Sequence, residues 1–84
     1  MKKLVFKVNG GKVGSFNSKE DLAKFIRSEF RIERFHVEDG NDDEFDLSIE
    51  ECIDMLLVGD RLTCYNEELC ERGDDYCRLK IKVK

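Results

Sequence analysis

The four cysteines could bind a metal, and their spacing can be compared with the spacing that metal sites require. Cys52, Cys64, Cys70 and Cys77 are separated by eleven, five and six residues. Structural zinc sites usually take two ligands from one tight turn, as in Cys-x2-Cys, and iron–sulfur clusters also require close pairs. The sequence has no such pair, and three of the cysteines fall at apolar positions of periodic segments. We therefore interpret the four cysteines as core thiols.

A calcium loop is the second arrangement to consider, because oxygen ligands recur between residues 39 and 50. Positions 1, 3, 5, 7, 9 and 12 of such a loop would be Asp39, Asn41, Asp43, Phe45, Leu47 and Glu50. Glu44 stands at position 6, where the sharp turn requires glycine, and the preceding segment has the pattern of a strand rather than a helix. We expect no metal or other cofactor, and a small calcium- or zinc-binding protein is kept as an alternative.

Nucleophilic catalysis by a Cys–His pair would have to use His36, the only histidine in the chain. His36 alternates with Phe35 and Val37, which predicts that it lies on the solvent face of a strand. The sequence also lacks a Ser-centred nucleophile elbow and a glycine-rich phosphate loop. We therefore expect that the protein is not an enzyme.

Charge is strongly segregated along the chain. Fifteen of the nineteen acidic residues lie between residues 38 and 75 with only two basic residues, which gives this segment a net charge of −13. Residues 1–37 carry nine basic and four acidic residues, and residues 76–84 carry four basic residues and no acidic one. Dense like charge raises self-repulsion, so its presence favours a role in binding over simple solubility.

The acidic segment supplies the predicted partner-binding residues. They are Asp39, Asp42, Asp43, Glu44, Asp46, Glu50, Glu67, Glu68, Glu71, Asp74 and Asp75. A dense negative surface repels phosphates, so we expect no direct binding of nucleic acid. It would instead occupy the basic groove of a partner, for example a nuclease or another protein that handles nucleic acid.

In size, acidity and lack of catalytic motifs, the chain resembles phage-encoded inhibitors of bacterial defence, such as anti-CRISPR and anti-restriction proteins. The resemblance is one of type and assigns no individual residues. The alternative is a housekeeping adaptor or an antitoxin-like partner whose acidic loops are merely solvated. A basic stripe of Arg78, Lys80, Lys82 and Lys84 could also face the acidic segment of a second copy, which would make a homodimer.

The elements that must position these residues follow from periodicity and turn residues. Alternation predicts strands over residues 3–8, 12–16, 31–38, 61–65 and 77–84. Asn9-Gly10 is typical of a tight hairpin. Helices are predicted after Asn17 or Ser18 and after Ser48, where Ser48-x-x-Glu51 is a capping box and Gly59 ends the helix. Residues 40–44 are predicted to form a loop, and residues 66–75 form either a loop or an extended hairpin.

This order, ββαβαββ, predicts one α+β domain over residues 1–84, with two helices packed on a mixed, mostly antiparallel sheet. The opening hairpin, helix and strand resemble the first half of a β-grasp domain. The longest uncharged apolar run, Met55 to Val58, has four residues and is too short to span a membrane. Because a usable export signal is also missing, we expect the protein in the cytoplasm.

Overall fold

A computed structural model describes residues 2–70 and 75–84 of the chain. In these ranges the elements, in chain order, are β1 (Leu4–Val8), β2 (Gly11–Phe16), α1 (Lys19–Phe30), β3 (Arg34–Glu38), β4 (Glu44–Ser48), α2 (Ile49–Leu57), β5 (Leu62–Cys64) and β6 (Cys77–Val83).

The strands form one sheet in the order β2-β1-β6-β5-β3-β4, and every pair of neighbours is antiparallel. The pairing of β1 with β6 joins the two ends of the chain, with Leu4 opposite Val83 and Val8 opposite Leu79. Asn9 extends this ladder beyond β1. Its N–H donates to the Arg78 carbonyl, and its side-chain oxygen accepts from the Arg78 N–H, both at 2.8 Å.

The two helices cover one face of the sheet and bury the core beneath them. Alternate residues of the strands point toward the helices, so each strand contributes one apolar row. The largest fully buried side chains are Phe6, Phe35, Leu22, Ile26, Ile49, Ile53 and Leu62. No helix in residues 2–70 and 75–84 lies on the other face of the sheet, which we call the open face.

The predicted α+β class, with two helices packed on a sheet, is confirmed, and the predicted elements occur in the predicted order. One strand, β4, is additional and lies directly before α2. No element is predicted for residues 45–47 from the sequence, although Phe45 and Leu47 alternate with polar residues as they do in a strand. Strand β4 is short, lies at the edge of the sheet and buries only Leu47.

The sheet is antiparallel throughout rather than mixed, because the opening strand pairs with the last strand in opposite directions. The resemblance to the first half of a β-grasp domain is one of element order, with an opening hairpin, a helix and then strand β3. Strand β3 pairs with β4 and β5. Element order alone does not fix which strands become neighbours, since non-local pairs depend on the packing of the whole domain.

The predicted turn and cap residues take the expected conformations. Asn9 and Gly10 have φ angles of 53° and 81°, which the tight β1–β2 turn requires, and Gly59 has a φ of 94° after α2. Ser18 is the residue that caps α1. Ser48 and Glu51 form the predicted capping box. The backbone hydrogen bond from Ser48 lowers the pKa of the Glu51 carboxyl.

Residues 65–70 form turns after β5, and Leu69 is buried among the core residues. Glu71 and Asp74 lie outside the residues that the structure describes. No helix in the described ranges is both long enough and apolar enough to cross a membrane.

Replacing Ser48 with alanine should test the capping box. The change removes the hydroxyl that accepts the Glu51 N–H at 3.1 Å, and we expect the free energy of unfolding to fall by about 1 kcal/mol. Ser28→Ala, in an exposed part of α1, is the control and should leave stability equal or higher, since alanine favours helix. Urea unfolding measures both, and an unchanged Ser48→Ala variant would contradict the assigned cap.

Candidate functional site

The open face of the sheet carries a field of cations from three neighbouring strands. Side chains on β1, β2 and β6 alternate between the helices and solvent, and the solvent row is almost entirely basic. We call this surface the lysine face, and its members are Lys3, Lys7, Lys12, Arg78, Lys80, Lys82 and Lys84.

The register brings several of these cations directly opposite one another. Lys7 on β1 lies between Lys12 on β2 and Lys80 on β6. Lys3 and Lys84 exchange backbone hydrogen bonds of 2.6 and 2.9 Å just beyond the ends of the strands. Like charges placed directly opposite each other destabilise a sheet. This surface therefore has an arrangement of charge that folding alone does not favour.

The lysine face has a shaped surface as well as a charge. Val5 lies on the open face between Ser15 and Lys82, yet it is only 5% exposed, as expected where long lysine side chains lay their apolar stems over a smaller neighbour. An open depression of about 420 Å³ extends along Lys3, Val5, Lys7 and Lys84.

A second depression of about 690 Å³ lies where the end of α2 meets the sheet. Its lining combines Arg78 and Lys80 of the lysine face with the acidic residues Asp39 and Asp60 and the buried residue Leu56. It shares no lining residue with the first depression.

Two of the three cations on the helices differ from those on the lysine face in having acidic partners. Lys19 contacts Asp54 at 3.0 Å, and Arg27 contacts Glu50 at 2.6 Å. Of the ion pairs found within residues 2–70 and 75–84, none includes a member of the lysine face. The helices, with three basic and six acidic residues, therefore carry a net negative charge, while β1, β2 and β6 present unneutralised positive charge to solvent.

Three aromatic side chains lie on the open face of the sheet, between the lysine face and the outer strands. His36, Tyr65 and Tyr76 lie side by side, with ring centroids 6.0 Å apart for His36 and Tyr65 and 6.4 Å apart for the two tyrosines. Tyr76 precedes Arg78 by two residues, so both lie on the same face of the β6 segment. We call these three side chains the aromatic row. The predicted solvent exposure of His36 is confirmed.

Asn66 holds the aromatic row in place by continuing the β5–β3 ladder with its side chain. Its oxygen accepts the His36 N–H at 2.8 Å, and its amide donates to the Arg34 carbonyl at 3.0 Å. The Tyr65 N–H donates to the His36 carbonyl at 2.9 Å. The Tyr65 hydroxyl donates to Glu38 at 2.7 Å, and this hydrogen bond raises the pKa of Tyr65.

The acidic residues predicted to bind a partner do not form one surface in the parts of the chain that the structure describes. Asp39, Asp42 and Asp43 lie in the turn between β3 and β4, and Glu44 begins β4. Other predicted residues, Glu67, Glu68 and Asp75, follow the opposite end of β5 or precede β6, and all three are exposed. Because Glu38 lies opposite Thr63, these two groups occupy opposite ends of the β3–β5 pair.

Three of the predicted acidic residues have structural contacts. The Asp39 carboxylate accepts the N–H groups of Asn41 and Asp43 and so shapes the turn. Asp46 pairs with Arg34 at 3.2 Å. Glu50 pairs with Arg27, and this hydrogen bond lowers the pKa of the Glu50 carboxyl.

The cysteines are thiols in the core or at its edge. Cys64 lies directly opposite Cys77, as expected if the last two strands are neighbours. Burial raises the pKa of Cys52 to about 12, which disfavours the thiolate that a nucleophile needs. Across residues 2–70 and 75–84, no group of three or more His, Cys, Asp or Glu residues could hold a metal ion. The segment considered as a calcium loop, residues 39–50, folds as the turn after β3, strand β4 and the first residues of α2.

Sequence reasoning identified the stripe on β6 and missed its continuation on β1 and β2. Lys3 and Lys7 alternate with Leu4, Phe6 and Val8 in the same way that the β6 cations alternate with apolar residues. That alternation was the available signal. The pairing of the first strand with the last is what combines the two stripes into one surface.

Comparisons with protein-family models, curated proteins and solved structures found no match for this chain.

Replacing Lys7 with glutamine should stabilise the protein, because it removes repulsion from both Lys12 and Lys80. We expect the melting temperature to rise by roughly 1–4 °C at low salt, and the gain to shrink at 1 M salt, where charges are screened. Lys24→Gln, which removes one exposed charge from α1, is the matched control and should change little. A lower melting temperature for Lys7→Gln would show that Lys7 supports the fold instead.

Proposed function

We propose that the protein is a non-catalytic binding domain that takes a polyanionic macromolecule on its lysine face. The observation that carries this proposal is the placement of seven cations on one open sheet face, several of them directly opposite one another. Unneutralised like charge costs stability, and a polyanion would offset that cost by neutralising several cations at once. The proposed setting is the cytoplasm, where the cysteines would stay reduced.

The shape of the surface supports the same conclusion. Strands present side chains at regular intervals, so the lysine face offers rows of cations rather than one point charge. The face is not covered by any helix in the described ranges, and the depression along Lys3, Val5, Lys7 and Lys84 gives an extended ligand a shaped site. Such a surface favours ligands with regularly repeated negative charges, and binding them requires no catalytic side chain.

Binding to immobilised heparin, a model polyanion, should test this function. We expect the protein to be retained at low salt despite its net charge of −4 and to elute as salt screens the contacts. Lys7→Gln combined with Lys80→Gln should elute at clearly lower salt. Lys24→Gln combined with Arg31→Gln removes the same charge from exposed positions outside the lysine face and should elute with the wild type. Equal elution of both double variants would overturn the proposal.

The acidic β3–β4 turn favours a second candidate function, that of occupying the basic groove of another protein. Asp42, Asp43 and Glu44 are exposed, and none makes an ion pair with another described residue. Their carboxylates are therefore available to a cationic partner, as they would be in an inhibitor of the anti-CRISPR or anti-restriction type. The acidic turn could also contact the lysine face of a second copy, which would give a homodimer.

Neutralising the turn separates these possibilities. Asp42→Asn, Asp43→Asn and Glu44→Gln together should leave the melting temperature equal or higher, because exposed charges contribute little to folding. If the turn binds a basic protein, association with a polylysine probe should weaken at low salt while heparin retention is unchanged. If it contacts a second copy, sedimentation should show less dimer. A triple variant that binds polylysine as the wild type does would remove this second function.

A further inference from the structure

Building on the proposed function, we propose that the polyanion is a single-stranded nucleic acid. Its phosphates would follow the cations of β6, and its bases would stack on Tyr65 and Tyr76. This assignment adds a ligand class and two contact residues to the lysine face. It concerns a different surface from the acidic segment, whose charge was the reason for expecting no direct binding of nucleic acid.

The segment from Tyr76 to Lys84 provides a continuous track for such a strand. Every second residue faces the open side, so one aromatic ring is followed by four cations, Arg78, Lys80, Lys82 and Lys84. Eight residue steps at about 3.3–3.4 Å make the track about 27 Å long. This length suits an extended strand of several nucleotides, and lysines on β1 widen the track on one side.

The two tyrosines distinguish this surface from a simple polyanion site, which needs cations but no exposed aromatic rings. Tyr65 and Tyr76 are 36% and 52% exposed, although large aromatic side chains bring most stability when buried. An aromatic ring on an open, basic sheet offers a flat surface on which any base can stack. The bond from the Tyr65 hydroxyl to Glu38 fixes one of these rings before a ligand arrives.

Acidic residues limit the site on its other side. Glu38 on β3, and Glu44 and Asp46 on β4, occupy the open face beyond the aromatic row. Their charge repels phosphates, so the strand cannot continue across β3 and β4. The footprint is therefore restricted to β1, β6 and the two tyrosines, and the binding site is short.

Intrinsic fluorescence gives a direct test, because the chain has two tyrosines and no tryptophan. Oligothymidylate of about ten nucleotides should quench the tyrosine emission as its bases stack, whereas polyglutamate of similar charge should not. A DNA duplex of the same length should quench less than the single strand, because its bases are already stacked.

Variants test the aromatic part and the cationic part of the site separately. Binding is measured by the fluorescence anisotropy of a labelled oligonucleotide. Tyr76→Leu should weaken binding at least about five-fold, and Tyr76→Phe, which keeps the ring, should restore it. With four phosphate contacts the affinity should fall with salt at a log–log slope of about −3. Lys80→Gln should reduce that slope by about 0.7, and Lys24→Gln should leave it unchanged.

The outcomes separate this inference from the function on which it rests. Polyglutamate and heparin binding as tightly as the oligonucleotide, without quenching and with no effect of Tyr76→Leu, would overturn the nucleic acid assignment and leave the polyanion function standing. Absence of binding to all of these ligands would overturn both. Equal binding and equal quenching by the duplex and the single strand would show that stacking on the tyrosines is not the basis of recognition.

Discussion

Antiparallel pairing of β1 with β6 places the two ends of the chain side by side, and the remaining arrangement depends on it. Strand β6 lies between β1 and β5, so it joins the opening hairpin to the half of the sheet built from β5, β3 and β4. The same pairing buries Phe6 opposite Ile81 under the helices and leaves Lys7 opposite Lys80 outside. One hydrogen-bonded ladder thus completes the core and creates the lysine face. Because this contact is distant in sequence, it is also the costliest to close in entropy.

Charged side chains have different neighbours on the helices and on the open face of the sheet. On the helices, cations meet carboxylates in exposed pairs such as Lys19–Asp54, which contribute little to stability, and the acidic residues outnumber the basic ones. On the open face, cations meet cations across β1, β2 and β6. A sequence under selection for stability alone would have alternated the signs there, as cross-strand pairs of opposite charge are favourable. The contrast within one small domain is the physical reason for locating binding on the sheet.

Local features were predictable from the sequence, and the functional surface was not. The Asn9-Gly10 turn and the Ser48–Glu51 capping box depend on residues close in sequence, so their patterns identify them directly. Strand β4 was missed although Phe45 and Leu47 alternate with polar residues, because the alternation spans only five residues that follow an acidic turn. The lysine face was missed because charge was counted along the chain, where the acidic segment dominates. Strand neighbours determine surface charge, and they follow from packing of the whole chain.

The acidic and basic regions coexist on one sheet because β5 separates them. Across the open face, Arg78 lies opposite Thr63, Thr63 opposite Glu38, and Glu38 opposite Glu44. Strands are about 4.8 Å apart, so Arg78 and Glu38 are separated by about 10 Å, which exceeds the Debye length of about 8 Å at physiological ionic strength. The neutral Thr63 therefore separates the two kinds of charge, and salt weakens the attraction between them. A strand bound as proposed would follow the cations of β6, and Glu38, which accepts the Tyr65 hydroxyl, would limit how far that strand extends.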